Sequence, residues 1–313
     1  MDKRISALIE NIEKVIVGKH DVILNAVTAL IMEGHILIED VPGVGKTQLA
    51  AALSRSVGGS FNRIQLTPDI MPSDITGFSM INRTTGEFEY KKGAAFCNFL
   101  LADEINRASP KAQSALLEVM EERQISVDGQ THTLMRPFMV LATQNPVETY
   151  GTYHLPEAQM DRFAMRISMG YPTLSEESAI LERNEFENPV SKLSPVITTE
   201  DVAALQDEAK KVRAAENVKS YIVSISEATR NDENIKLGVS PRGSIALFKA
   251  AKARAFIDGR DFITPDDVKD CAVTVLAHRI MLSPKGKAAL GSAEAVIEAA
   301  VSGVAVPTDI TNK

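Results

Sequence analysis

The segment Glu39-Asp-Val-Pro-Gly-Val-Gly-Lys-Thr47 joins an apolar run, Ile36-Leu-Ile38, to a helix-forming stretch, Gln48-Leu-Ala-Ala-Ala-Leu53. A strand, a glycine-rich loop and then Lys-Thr at a helix start can cradle nucleotide phosphates, because free backbone N–H groups and a helix N-terminus both favour anions. Gly43 and Gly45 let the main chain approach phosphate oxygens, with Pro42, Val44 and Gln48 completing the cradle. Lys46 has the reach for β- and γ-phosphates, and the Thr47 hydroxyl suits Mg²⁺. Asp40 stands where the pattern G-x-x-x-x-G-K-[ST] has its first glycine. A glycine-rich surface turn is the plainer alternative, and the remaining chemistry-bearing residues weigh against it.

Phe99-Leu-Leu-Ala-Asp103-Glu104 is an apolar strand ending in two acids. Carboxylates at the C-terminal end of such a strand point into the crevice where α/β sheets bind ligands. Asp103 suits Mg²⁺ through its water shell, and Glu104 suits orienting or deprotonating an attacking water. Alone, the pair reads equally well as a surface Asp-Glu. Asn145 follows the strand candidate Val140–Thr143 and could position water against a γ-phosphate, or simply turn the chain before Pro146. Arg162, in Met160-Asp-Arg-Phe163, and Arg242, in Val239-Ser-Pro-Arg-Gly243, could each stabilise phosphate charge in a transition state. An isolated arginine is otherwise usually a surface ion pair.

The elements that must position these groups alternate. Strand candidates at 35–39, 63–66, 98–102, 138–143 and 164–168 are short apolar runs between helical patterns, which predicts a largely parallel sheet covered on both faces. Two β-hairpins interrupt the pattern: 123–134, turning at Asp128-Gly129, and 79–90, turning at Thr85-Gly86. Beyond Tyr171-Pro172 helical patterns dominate. Thr198 with Asp201 and Thr264 with Asp267 read as capping boxes, and 242–257 and 287–301 as helices. The chain therefore divides into an α/β nucleotide-binding domain over 1–172 and a smaller all-helical domain over 173–313.

The 313 residues are 44% hydrophobic, ample for a core, the length suggests two domains, and the net charge of -7 disfavours a nucleic-acid-coating role. Cys97 and Cys271 are too far apart in sequence to suggest a metal-spaced pair or a disulfide framework. The N-terminus lacks a signal-peptide apolar region, and no apolar stretch approaches the roughly 18 residues that span a bilayer. The cytoplasm is the default compartment.

The motif set, in this order, resembles an AAA+ ATPase. Val41-Pro-Gly-Val-Gly-Lys-Thr47, Leu101-Ala-Asp-Glu-Ile-Asn-Arg107, Ala142-Thr-Gln-Asn-Pro146, Leu155-Pro-Glu-Ala-Gln-Met-Asp-Arg-Phe163 and Ser240-Pro-Arg242 are similar to the MoxR family, from about Val15 to Arg279. The resemblance implies a P-loop core with hairpin insertions and a helical lid. It implies that Lys46 and Thr47 belong to Walker A, Asp103 and Glu104 to Walker B, Asn145 to sensor 1, Arg162 to the arginine finger and Arg242 to sensor 2. Aspartate in place of the first loop glycine is common in the family. Val17 and Gly18 resemble the segment around adenine, 79–90 the helix-2 insert, and 123–134 the pre-sensor-1 hairpin, both hairpins facing the pore of related hexamers. An arginine finger reaches a neighbour's nucleotide, so the resemblance implies a homo-oligomeric ring of six; relatives differ over whether sensor 2 acts in cis or in trans.

Resemblance also implies an ATPase with ATP and Mg²⁺ that remodels or matures a protein client, or inserts a metal into it, often beside a von Willebrand factor A domain protein. A nucleic-acid motor is the alternative for a hairpin-bearing chain. Its pore-facing tips should be basic, whereas Val127-Asp-Gly-Gln130 is acidic or neutral, with Arg83, Lys91 and Lys92 as the local counter-evidence. The ATPase subunit of a metal chelatase predicts the same site with a different partner. A non-hydrolysing scaffold fits poorly with an intact Glu104 and Asn145.

Overall fold

The computed structural model describes residues 2–146 and 151–307; the outer ends of the two expected domain ranges fall outside it. Helix α1 (Lys3–Glu13) is capped by Asp2, whose carboxylate accepts from the Arg4 amide, and buries the stripe Ile5, Leu8, Ile9 and Ile12. It is followed by α2 (His20–Ile31), β1 (Ile36–Glu39), α3 (Lys46–Val57), β2 (Phe61–Gln65), α4 (Pro72–Thr76), β3 (Gly77–Ile81), β4 (Phe88–Lys92) and β5 (Phe99–Asp103). Next come α5 (Pro110–Glu122), β6 (Gln124–Val127), β7 (Gln130–Thr133), β8 (Met139–Gln144), α6 (Glu157–Met160) and β9 (Met165–Ile167).

Five strands form one sheet in the order β2-β5-β8-β1-β9, and every adjacent pair is parallel. All five C-terminal ends therefore lie on one edge. The central strands β5 and β8 are apolar along nearly their whole length because helices cover both faces. Register aligns Glu39 with Gln144 and Ala102 with Ala142, so the residues following β1, β5 and β8 emerge together. Asn98, expected inside β5, instead takes the Ser60 amide on its side chain and donates to Pro137 O, so the strand begins at Phe99.

The opposite edge is tied by His35. Its Nδ1 accepts from the Val140 amide at 3.0 Å, so Nε2 carries the proton and donates to Met120 O at 2.9 Å. Burial pushes the ring's pKa down to about 4, so it is neutral and serves as a strut between β8 and α5.

Strands β6 and β7 pair through a tight turn in which Asp128 (φ 51°) and Gly129 (φ 76°) are both left-handed, as a primed two-residue turn requires. The β3–β4 loop is longer: the Asn82 side chain takes the amides of Thr84 and Thr85. The hairpins touch where Tyr90 stacks on His132 with ring centres 4.2 Å apart.

The rest is helical: α7 (Leu174–Arg183), α8 (Thr199–Ala209), α9 (Glu216–Asn231), α10 (Pro241–Ile257), α11 (Pro265–Leu276), α12 (Pro284–Leu290) and α13 (Ala293–Gly303), with a short pair β10 (Ile235–Leu237) and β11 (Met281–Leu282). Capping boxes open α7, α8 and α11. The single helix expected over 287–301 is broken: Gly291 takes φ 77°, and Ser292 accepts from the Ala295 amide to start α13. Helix-forming residues on both sides hide that break from composition. Apolar residues of α8–α11 and α13 merge with those of α1–α3 and one sheet face into a single core, while α5 and the other face enclose a second. The helical part thus extends the core rather than standing beside it.

Candidate active site

At the C-terminal sheet edge, Gly43 (φ 88°) and Gly45 (φ 99°) adopt conformations that favour glycine, and α3 starts at Lys46 with no side chain capping its first turn. The space over Gly43 is open. A helix N-terminus without a side-chain cap, next to a bare glycine loop, fits a polyphosphate. Lys46 Nζ donates to Asp40 O at 2.7 Å, curling over its own loop.

Asp40 anchors that loop. Its Oδ1 accepts from the Val41 amide at 2.8 Å; its Oδ2 accepts from Ser168 Oγ at 2.9 Å and from the Met169 and Gly170 amides at 2.7 Å each. Burial pushes the carboxyl pKa up, but the bonds from Gly170, Ser168, Val41 and Met169 outweigh it and hold the group below the usual carboxylate range.

A cavity of about 230 Å³ adjoins the loop, lined by Val15, Val17, Val44, Gln48, Met169 and Ile180. Its walls are mainly apolar, as a purine base requires. Gly18 (φ 70°) lies beside it: a side chain there would collide with Glu176, and the next residue, Lys19, donates to Tyr171 O at 2.9 Å. The segment containing Val17 is thereby held against the start of α7.

The acids stand on the same edge. Asp103 is buried, and Glu104 turns into the left-handed region (φ 58°). Thr143 joins them: its hydroxyl donates to Asp103 Oδ1 at 3.1 Å and accepts from the Glu104 amide at 2.9 Å. Asp103 Oδ2 takes Arg63 Nε at 2.7 Å, and Glu104 meets Arg107 at 3.0 Å. Asn145 is buried at the end of β8, which lies between the acid-bearing β5 and the loop-bearing β1. Thr143, Arg63 and Arg107 are supporting residues that the motifs alone do not single out. A polar but buried residue directly after the apolar run 139–142 is the one signal, at Thr143.

Arg162 and Arg242 are elsewhere. Helix α5 starts just after the acids and runs back about 20 Å to the opposite edge of the sheet. There its Glu121 accepts from Arg242 at 2.5 Å and lies 3.9 Å from Arg162. Both arginines line a cavity of about 350 Å³ together with Gly34, His35 and Lys249. Buried Arg162 Nε has no hydrogen-bond partner among the described residues. The structure thus gathers Pro42–Gln48, Val17, Asp103, Glu104 and Asn145 at one edge and pairs the two arginines at the other.

Residues 35–165 match the family described as "ATPase family associated with various cellular activities (AAA)", and 227–306 match the AAA lid domain. The chain is 52% identical to the uncharacterized protein YeaC of Bacillus subtilis (strain 168), covering 96% of this chain and 93% of that one. It is 41% identical to the chaperone MoxR1 of Mycobacterium tuberculosis, over 95% and 80% of the two chains. A crystal structure of a Cytophaga hutchinsonii protein classed as an ATPase superposes with a TM-score of 0.90 at 39% identity, covering 97% and 95%. The parallel core, the helical lid and these similarities together establish that the chain belongs to the MoxR family of AAA+ ATPases.

Proposed function

We propose that this chain hydrolyses ATP in a ring of identical subunits and uses the energy as a chaperone, remodelling or maturing a protein client. Lys46 and the amides of the glycine loop bind the phosphates. The cavity beside Val17 takes the base. Thr47 and Asp103 would hold Mg²⁺, which supplies charge neutralisation on the phosphates when bound; their oxygen donors suit a hard cation. Both Asp103 oxygens already accept hydrogen bonds, which favours contact through water. Glu104 takes the proton of the attacking water as the β–γ bridging bond breaks, and Asn145 orients that water.

The observation that carries the composite site is the pairing of Arg162 with Arg242 a helix length from the loop of their own chain. Two cations beside an open cavity suit the γ-phosphate of a neighbour. On this reading both act in trans, and the ring, of six by family resemblance, is part of the catalyst.

A protein client is favoured over nucleic acid by the β3–β4 hairpin. It exposes Phe78, Met80, Ile81 and Phe88, while Lys91 pairs with Glu89 and Lys92 lies over the Phe96 ring. Among the described residues Arg83, exposed in the turn, is left there as a single cation, whereas a phosphate backbone would call for several. A von Willebrand factor A domain partner and metal insertion rest on resemblance to the family. Among the described residues no helix is long and apolar enough to cross a membrane, and we place the ring in the cytoplasm.

Nucleotide binding and turnover of two variants test the assignments. Lys46→Ala loses tight ATP binding. Glu104→Gln keeps it and loses about 100-fold or more in turnover; wild-type turnover in Glu104→Gln removes the glutamate from its role.

A further inference from the structure

We propose that Asp161 is a positioning residue that joins the two arginines into one unit, so that the lid and the finger segment move together. Its Oδ2 accepts from Ser240 Oγ at 2.8 Å, and Ser240 caps α10 by accepting from the Gly243 amide at 3.2 Å. Arg242 lies in the first turn of that helix. The other oxygen, Oδ1, accepts from Arg279 Nε at 2.6 Å. The remaining Arg279 N–H groups donate to the carbonyls of Asp161 (3.2 Å), Phe163 (2.6 Å), Ala164 (3.2 Å) and Val275.

Carbonyls on both sides of Arg162 are thus held by one buried guanidinium from the lid, and the carboxylate next to Arg162 holds the helix end that carries Arg242. The fit is close: a side chain at Gly243 would come within 2.9 Å of Arg279 Cδ.

The inference rests on the reading that Arg162 and Arg242 act on nucleotide. Replacing Asp161 strands the buried Arg279 charge, and replacing Arg279 removes its bonds to four carbonyls as well, so the test is made at Ser240 in the full chain. Asparagine and aspartate both cap helices well. Only asparagine keeps a donor for Asp161; aspartate sets a second carboxylate against it. Turnover, ATP affinity and Tm are measured for Ser240→Asn, Ser240→Asp, Arg162→Ala and Arg242→Ala. Ser240→Asp is expected to lower kcat about ten-fold or more, since small misplacement of a catalytic group is costly, with ATP Kd and Tm near those of Ser240→Asn. Ser240→Asn retains most of the turnover.

If Ser240→Asp lowers Tm, Ser240→Gly, a tolerated cap with no donor, makes the same measurement. Equal kcat in the variants with and without the donor overturns the coupling. Should the Arg162→Ala and Arg242→Ala variants turn over normally, the reading of the arginines fails and the coupling with it. If those two are impaired while Ser240→Asp is not, the coupling alone fails.

Discussion

Asp40 carries more of the phosphate loop's shape than its neighbours do. Its carboxylate accepts from Val41 beside it and from Ser168, Met169 and Gly170, which follow the last strand of the sheet. Asp40→Ala leaves the Met169 and Gly170 amides without this acceptor, at a cost of about 1–3 kcal/mol for buried donors, whereas Asp40→Asn keeps an acceptor oxygen and costs less. Denaturant unfolding at pH 7 should rank wild type above Asp40→Asn above Asp40→Ala. Because the folded-state pKa of Asp40 is depressed, its contribution is fully present above the ordinary carboxylate pKa of about 4. It is lost as pH falls through the lower folded value, so the gap between wild type and Asp40→Ala should narrow only in acid. An unchanged gap down to the acid limit would show that the carboxylate charge is not what anchors the loop. From sequence, Asp40 reads only as a departure from a pattern, since three of its partners lie 128 to 130 residues away. Arg63 was hidden for a related reason: it is an ordinary charged residue until the fold sets it beside Asp103, 40 residues away, whereas Arg107 pairs with Glu104 only three residues before it.

Among the elements, β1, β5 and β8 were legible because each is a short apolar run that must be covered on both faces, whereas the edge strand β2 carries Asn62, Arg63 and Gln65 and shows mainly Ile64 as a buried residue. The Asp128-Gly129 hairpin was legible because two adjacent left-handed residues leave little choice of sequence. Strand limits shifted by a residue or two where side chains such as Asn98 take over backbone partners. The break between α12 and α13 was not legible, because Ala-rich sequence on both sides favours helix and only one glycine interrupts it. Nothing crowds Gly291, so its φ of 77° is a purely backbone requirement. Gly291→Ala should therefore destabilise by about 1–2 kcal/mol in denaturant unfolding. A neutral result would mean that the break is held by contacts elsewhere.

For the molecule as a whole, the order of motifs along the chain pointed to an α/β core followed by helices, and the family follows from its close relatives. What the order of motifs left open was distance. Only the fold shows that α5 separates the acids from Glu121 by its own length, and that Arg162 and Arg242 meet there. The site proposed above is complete only when a second copy brings its arginine edge to the phosphate-loop edge of the first, a head-to-tail contact that closes into a ring. Mixing Arg162→Ala with Lys46→Ala subunits tests this most directly. Each alone should be nearly inactive. In rings shown to be mixed by co-purification of two tags, about a quarter of the interfaces pair an intact loop with an intact finger, and ATPase activity should return in proportion. Verified mixed rings that remain as inactive as either parent would contradict a site shared between subunits.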